Sequence, residues 1–441
     1  MNPQRFLRLV SGAMAALGIS AAAIVALNLR GEDPLPSAET LKPTPALVAQ
    51  GEYLTRVGNC MACHTVQGGA PFAGGRGIET PFGVVYSSNL TPDKATGLGA
   101  WTSAEFWRAM HNGRGKDGRL LYPAFPYTSY THVTREDSDA IFAYLQSLPP
   151  VAQANKVHAL RFPYSTQAAL GVWRALFFTP ADAAQPAPPA PQALATAQVP
   201  DYQRGAYLVN GLGHCAACHT PRNSLGAEQQ GQALAGGLIP VQNWLAPALT
   251  DAGQAGVQRW PQADVVALLK TGVAPQASVI GPMAEVVFRS TQYLSDADAR
   301  AMAVYLQALP QHAATPAKQA VAPASVMERG AKVYEAQCAQ CHGAQGQGAK
   351  DEAGQPAFPP LAGNRAVVLA DPTNLVRVVL QGGYLPATAG NPRPHGMPPF
   401  QHLLGDEDVA AVATFVRNSW GNQAAGVGTI EVYRARERRS P

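Results

Sequence analysis

The sequence predicts an all-α chain of three tandem helical domains behind an N-terminal helix long enough to cross a membrane. Three observations predict it. One unit occurs three times, each copy closing on a segment of helical apolar period. Proline- and alanine-rich stretches separate the copies. Residues 1–30 carry an uninterrupted apolar run. A length of 441 residues leaves room for about three domains of roughly 150 residues each. The expected boundaries are 1–30 for the membrane segment, 46–179, 201–310 and 326–420 for the three domains, and 421–441 for a C-terminal surface tail.

The N-terminal helix is justified first. Arg5 and Arg8 precede an uncharged stretch from Leu9 that ends at Arg30. About 21 residues of helix span roughly 31 Å, one bilayer core. A cleaved secretory signal and an uncleaved anchor both begin this way. No clear small-x-small cleavage site precedes Arg30 and the run is long for a signal core, which favours the anchor. No polar face interrupts the run, so a buried soluble helix does not fit. In either case Arg5 and Arg8 stay in the cytoplasm and the remainder is exported.

The repeat comes next. Gly51-Glu52-Tyr53-Leu54 leads to Cys60-Met61-Ala62-Cys63-His64, Gly205-Ala206-Tyr207-Leu208 to Cys215-Ala216-Ala217-Cys218-His219, and Gly330-Ala331-Lys332-Val333-Tyr334 to Cys338-Ala339-Gln340-Cys341-His342. Each copy closes with apolar residues at helical spacing: Ala140 to Leu145, Ala301 to Leu306 and Val409 to Val416. Acidic residues just upstream (Glu136 and Asp137, Asp296 and Asp298, Asp406 and Glu407) suit helix N-termini. A middle helix recurs at Glu105–His111, Asp264–Lys270 and Asn374–Leu380, each soon followed by glycine. Pro180 to Pro200 holds six prolines, and Gln311 to Ser325 is similar in composition. Both read as extended spacers, and Lys42 to Ala49 reads likewise.

All six cysteines fall in the three Cys-x-x-Cys-His motifs. Cysteines at i and i+3 and histidine at i+4 share one helical face, so two thiols can bond haem vinyl groups while the imidazole lies under the iron. A redox disulfide needs a βαβ setting that the pattern lacks. A tetrahedral zinc site needs four ligands, and no domain holds a second cysteine pair. The reading is three covalently bound haem c groups, with Cys60, Cys63, Cys215, Cys218, Cys338 and Cys341 as attachment points and His64, His219 and His342 as iron ligands.

Thioether sixth ligands suit electron relay, because they stabilise ferrous haem and raise its potential. Met283 lies in Gly281-Pro282-Met283, 64 residues after His219, and Met397 in His395-Gly396-Met397-Pro398-Pro399, 55 residues after His342. Both are expected to be iron ligands. Met302 falls on the closing helix's apolar stripe and Met327 in a linker. The first unit differs: the loop Tyr122-Pro123-Ala124-Phe125-Pro126-Tyr127 carries phenylalanine 61 residues after His64. Met110 occupies a core position of the middle helix. The first haem is therefore expected to have a histidine, His111 or His132, or no strong protein sixth ligand.

In these residues the chain resembles the membrane-bound three-haem cytochrome c subunits of periplasmic alcohol, aldehyde and gluconate dehydrogenases. The likeness runs from about Ala49 to Asn422. It includes Pro81-Phe82-Gly83, Asn89-Leu90-Thr91-Pro92-Asp93, Trp101 and Ala246-Pro247-Ala248-Leu249-Thr250. Phe125, where alcohol and gluconate dehydrogenase subunits usually carry methionine, looks more like relatives paired with molybdenum hydroxylases of the nicotinate or aldehyde type. The resemblance implies three cytochrome c-like domains and an electron path. A catalytic subunit (quinoprotein, flavoprotein or molybdenum hydroxylase) oxidises a small organic substrate, and electrons cross the haems to ubiquinone or a terminal oxidase. It places the chain at the bacterial inner membrane with its haem domains in the periplasm.

A relay subunit without substrate chemistry is the leading expectation. A peroxidase-like enzyme using an open first haem and a free-standing carrier are the alternatives. The formal net charge of +4 would be offset by haem propionates, and no Lys/Arg run or aromatic–basic interleaving supports a nucleic-acid partner. The aromatic segment from Arg161 to Phe178 reads either as packing against its own domain or as a docking surface for the catalytic subunit or the membrane.

Overall fold

A computed structural model describes residues 3–32, 35, 41–182, 188–311, 322–352, 354 and 356–437. Two compact units divide the chain: Met1–Thr55, Cys63–Pro186 and Ser224–Ala227 in the first, Arg56–Ala62, Ala187–Asn223 and Glu228–Pro441 in the second.

The first unit carries α1 (Pro3–Asn28), most of α2 (Pro45–Val57), the last two residues of α3 (Cys60–His64), α4 (Ser103–Asn112), α5 (Tyr127–Tyr130), α6 (Arg135–Ser147) and α7 (Gln167–Phe177). A small antiparallel sheet joins β1 (Gly77–Thr80), β2 (Gly83–Tyr86) and β3 (Ala159–Leu160) in that order. The second unit carries α8 (Val199–Tyr207), α9 (Ala216–His219), α10 (Gln262–Thr271), α11 (Pro282–Arg289) and α12 (Asp296–Ala308). It continues with α13 (Ala324–Gln337), α14 (Ala339–His342), α15 (Arg365–Val368), α16 (Thr373–Gln381), α17 (Asp406–Arg417) and α18 (Thr429–Glu437). Four antiparallel strand pairs lie in its loops: β4 (Gly237–Ile239) with β5 (Trp244–Ala246), β6 (Val273–Ala274) with β7 (Ala277–Ser278), β8 (Ala349–Lys350) with β9 (Pro356–Phe358), and β10 (Gly383–Tyr384) with β11 (Gly396–Met397).

The repeated glycines explain how each copy folds. A Cβ on Gly51 would lie 1.9 Å from the Ala140 carbonyl oxygen, on Gly205 2.0 Å from that of Ala301, and on Gly330 2.3 Å from that of Ala411. No side chain fits there, so the helix leading to each cysteine motif presses its backbone on the closing helix. The residue before each glycine adds a polar hook. Gln50 donates to Asp137 at 2.8 Å, Arg204 makes a two-pronged bond to Asp298 at 2.8 and 2.9 Å, and Arg329 bonds Asp408 at 2.7 Å. Those carboxylates occupy the first turns of α6, α12 and α17, where they also favour the helix dipole. Thr134 and Ser295 cap α6 and α12, and Thr102 with Glu105 forms a capping box on α4.

In the first unit the end of α1 is tied to the globular part by a polar cluster. Asn28, 8% exposed, donates to the Gly171 carbonyl at 2.9 Å and accepts from Arg174 Nε at 3.0 Å. Arg174 also donates to the Asn112 carbonyl at 2.5 Å. Arg114 donates to the Asn28 carbonyl at 2.9 Å and pairs with Glu32 at 2.7 Å, while Asn112 donates to the Gly31 carbonyl at 2.7 Å.

Within the second unit the second and third repeats pack directly. Asn374 of α16 donates to the Leu245 carbonyl at 2.7 Å and accepts from the Leu245 amide at 2.9 Å, and the Arg377 guanidinium lies 4.8 Å from the Trp244 ring centre. Asn364 donates to Ser278 at 3.0 Å.

Several expectations need correction. The all-α description omits the strand pairs, whose two to four residues are too short to register as a period-2 pattern. Pro45 to Ala49 of the expected first spacer form the start of α2, with proline at a helix N-terminus, where its missing N–H is not needed. Met327 lies in α13, not in a linker. Residues 421–437 are no surface tail. Ala424, Val427, Val432 and Ala435 are buried, the last three in one cluster with Val376, Leu380 and Val409. Arg417 fastens this end by donating to the carbonyls of Val367, Leu369 and Ala425, each at 2.8 Å. Burial pushes its guanidinium down to about 10, still cationic at neutral pH. Residues 183–187 of the first proline-rich linker, 312–321 of the second and 438–441 of the tail lie outside the described residues. Met110 and Met302 are buried core, as expected.

Candidate functional site

Each cysteine motif is a single helical turn. α3 runs from Cys60 to His64, while Cys215 and Cys338 immediately precede α9 and α14. Each turn brings two sulfurs and one imidazole to one face. No disulfide joins any of the six cysteines. Burial pushes the Cys215 thiol up to about 12 and Cys338 up to about 11, each helped by its neighbouring cysteine. A thiol-exchange centre requires the opposite shift, because the thiolate is the nucleophile. The Cys215 and Cys338 thiols are protonated at neutral pH. Among the described residues, no three His, Cys, Asp or Glu side chains converge to hold a bare ion.

The histidines carry the decisive geometry. His64 Nδ1 lies 2.7 Å from the Ser88 carbonyl oxygen, His219 Nδ1 2.8 Å from that of Pro247, and His342 Nδ1 3.0 Å from that of Pro359. A carbonyl can only accept, so each Nδ1 carries the proton and each Nε2 presents a lone pair. Burial lowers the pKa of all three imidazoles, partly opposed by these hydrogen bonds, which keeps them neutral. A neutral, oriented imidazole with a free Nε2 is what an iron ligand requires. The residues present therefore fit haem c: paired thiols for its vinyl groups and a fixed nitrogen beneath the metal.

The carbonyls were not foreseen from sequence. Ser88 follows β2, Pro247 follows β5 and Pro359 follows β9. In the first two repeats the signal was present, since Ser88 precedes Asn89-Leu90-Thr91 and Pro247 precedes Ala248-Leu249-Thr250.

The expected sixth ligands lie on elements separate from the motif helices. Met283 is half-buried in the first turn of α11, after Gly281 in the left-handed region (φ 53°), and packs with Val279, Ala284 and Val287. Met397 ends β11 and packs on the cluster of Val376, Leu380 and Phe400. In the first repeat Phe125 packs on Tyr130, with ring centres 5.3 Å apart. His111 is buried in the last turn of α4, stacked 4.5 Å from Trp107. His132 is part-buried, and burial lowers its pKa. Sequence reasoning missed His158, whose ring meets Tyr122 edge-on at 5.1 Å. Its Nδ1 accepts from the Tyr86 amide at 3.1 Å, so in the neutral form Nε2 carries the proton.

A family model described as cytochrome c matches residues 48–149, 202–310 and 327–420. The chain belongs to the cytochrome c family. Cytochrome c domains thus occur three times along it, and family membership implies covalently bound haem c. Among curated proteins, this cytochrome c is 39% identical over 420 residues to the cytochrome c subunit of a quinone-type alcohol dehydrogenase of Gluconacetobacter polyoxogenes, covering 92% of this chain and 87% of that one. It is 39% identical over 401 residues to the gluconate 2-dehydrogenase cytochrome c subunit of Pantoea cypripedii, covering 88% of each. It is 40% identical over 382 residues to one subunit of the nicotinate dehydrogenase of Pseudomonas putida, covering 85% of this chain and 30% of that longer protein.

Proposed function

We infer that the chain is a three-haem electron-relay subunit of a membrane-bound dehydrogenase complex, and not its catalytic subunit. The observation that carries this reading is the threefold recurrence of a thiol pair beside an imidazole whose Nδ1–H is held by a backbone carbonyl. Haem, when bound, supplies a one-electron iron couple. Cys60 and Cys63, Cys215 and Cys218, and Cys338 and Cys341 would anchor it, and His64, His219 and His342 would give Nε2. The carbonyls of Ser88, Pro247 and Pro359 hold each ring's orientation and tautomer. Met283 and Met397 would add thioether sulfurs that favour the ferrous state. Phe125 offers no donor at the corresponding loop of the first domain, so the first site would differ in potential from the other two.

The relatives support a dehydrogenase partner, each being named as part of a dehydrogenase. A quinoprotein, flavoprotein or molybdenum hydroxylase would oxidise the substrate, and ubiquinone or a terminal oxidase would receive the electrons. The location is the bacterial inner membrane, with the haem domains in the periplasm. Leu9–Asn28, with mean hydropathy 2.1, is long and apolar enough to cross it. The bonds from Asn28 to the Gly171 carbonyl and from Arg174 to Asn28 support a retained anchor over a cleaved signal, because cleavage before Arg30 would remove Asn28 and leave the buried Arg174 short of an acceptor.

The test is to purify the chain from membranes in mild detergent and identify what co-elutes. A co-eluting dehydrogenase whose substrate reduces all three haems supports the reading. A chain that elutes alone, or that turns over peroxide at its first haem, sinks it.

A further inference from the structure

The helix α7 is patterned inside out. Its only charged residue, Arg174, is 3% exposed and points into the first unit, where it bonds Asn28 and Asn112 and lies 4.8 Å from the Phe178 ring centre. The outward face runs Ala168, Val172, Leu176 at four-residue spacing, with Val172 42% and Leu176 61% exposed and half-exposed Ala169 and Trp173 beside them. A helix against water shows the reverse pattern, polar outward and apolar inward. The surface is also placed. A Cβ on Gly171 would lie 3.9 Å from Ile24 and from the Asn28 side-chain nitrogen, so α7 packs on the last turns of the membrane-length helix. Upstream, Phe162 is 84% exposed.

We propose that α7 is a lipid-facing interfacial helix. Its Ala168–Val172–Leu176 stripe is buried at the headgroup–acyl boundary of the leaflet from which α1 emerges, and the Asn28–Arg174 cluster locks the first cytochrome c domain against that surface. The occupant is the bilayer because the stripe continues the apolar surface of α1, which is exposed from Leu9 to Ala23, and because Ala168, Val172 and Leu176 carry no group that an aqueous partner would pair with. An aromatic flank of Trp173 and Phe162 suits the same depth.

The proposal rests on the anchor reading, and one experiment separates them. Nitroxide labels are placed at Val172→Cys, Leu176→Cys and, as an aqueous control on α6, Glu136→Cys, in the full haem-loaded chain in nanodiscs of phosphatidylethanolamine and phosphatidylglycerol. The six native cysteines are consumed by haem and do not label. Accessibility to oxygen relative to a water-soluble nickel chelate is expected to be several-fold higher at 172 and 176 than at 136. Equal ratios at all three sites, in a chain whose intact mass retains residues 1–30, overturn lipid docking and leave the anchor standing. A mass lacking those residues overturns the anchor. Shielding of 172 and 176 from both reagents only on addition of the catalytic subunit assigns the face to protein and overturns the proposal.

Discussion

Gly205 offers the sharpest test of the fold. In Gly205→Ala the new Cβ would lie 2.0 Å from the Ala301 carbonyl oxygen, 2.6 Å from its carbon and 2.8 Å from Tyr305 Cβ. Comfortable contacts between carbons lie at about 3.5–4.0 Å, so α8 and α12 must separate by about 1 Å or more. The nearest atoms are backbone, and no rotamer change relieves them. Overpacking of this kind costs about 3 kcal/mol, the upper end of its usual range. Alanine returns about 1 kcal/mol of helix propensity, leaving a net loss of about 2 kcal/mol, roughly 30-fold in the folding equilibrium. Separation would also loosen the two-pronged bond from Arg204 to Asp298. Urea unfolding followed by far-UV circular dichroism and haem absorbance should show a lower midpoint. Gly383→Ala, with nothing within 4 Å of the added carbon, should stay within about 0.5 kcal/mol of the parent. A Gly205→Ala protein as stable as the parent would refute the close crossing.

Other outcomes follow from the same geometry. On the proposed ligation, Met283→Ala and Met397→Ala should each abolish one methionine–iron charge-transfer signal and lower one haem potential by on the order of 0.1 V, read by spectroelectrochemistry. Arg417→Met strips three carbonyls of their donor and should cost about 3 kcal/mol, with faster proteolysis of the α18 segment. Burial raises the pKa of Glu228, outweighing Arg222 at 3.9 Å. The folded state therefore binds this proton more tightly, so this group's share of stability is full below the unfolded value near 4.5 and falls as pH rises through the folded one. Glu228→Gln should flatten that slope and melt higher than the parent at pH 7, with the difference vanishing in acid.

The attachment chemistry was legible because Cys-x-x-Cys-His compresses three functional groups into one helical turn, and because Gly51, Gly205 and Gly330 repeat ahead of it. The helices of each repeat were legible too, since their periods are long enough to register. What escaped were groups whose role depends on chain partners far away in sequence. The carbonyls of Ser88, Pro247 and Pro359 act at separations of 24, 28 and 17 residues from their histidines, and any residue type could supply them. Arg174 reads as a lone charge in an aromatic stretch until Asn28, 146 residues upstream, closes on it. The polar composition of the C-terminus hid Val432 and Ala435, which alone are too few to mark an apolar face.

The central claim is covalent attachment at three sites, and the mass of the fully denatured, reduced protein tests it most directly. The expected mass is that of the polypeptide plus three haem groups, with colour retained in acid–acetone extraction and one haem on each peptide bearing Cys60, Cys215 or Cys338. A mass equal to the bare polypeptide, or pigment released into the solvent, would contradict it.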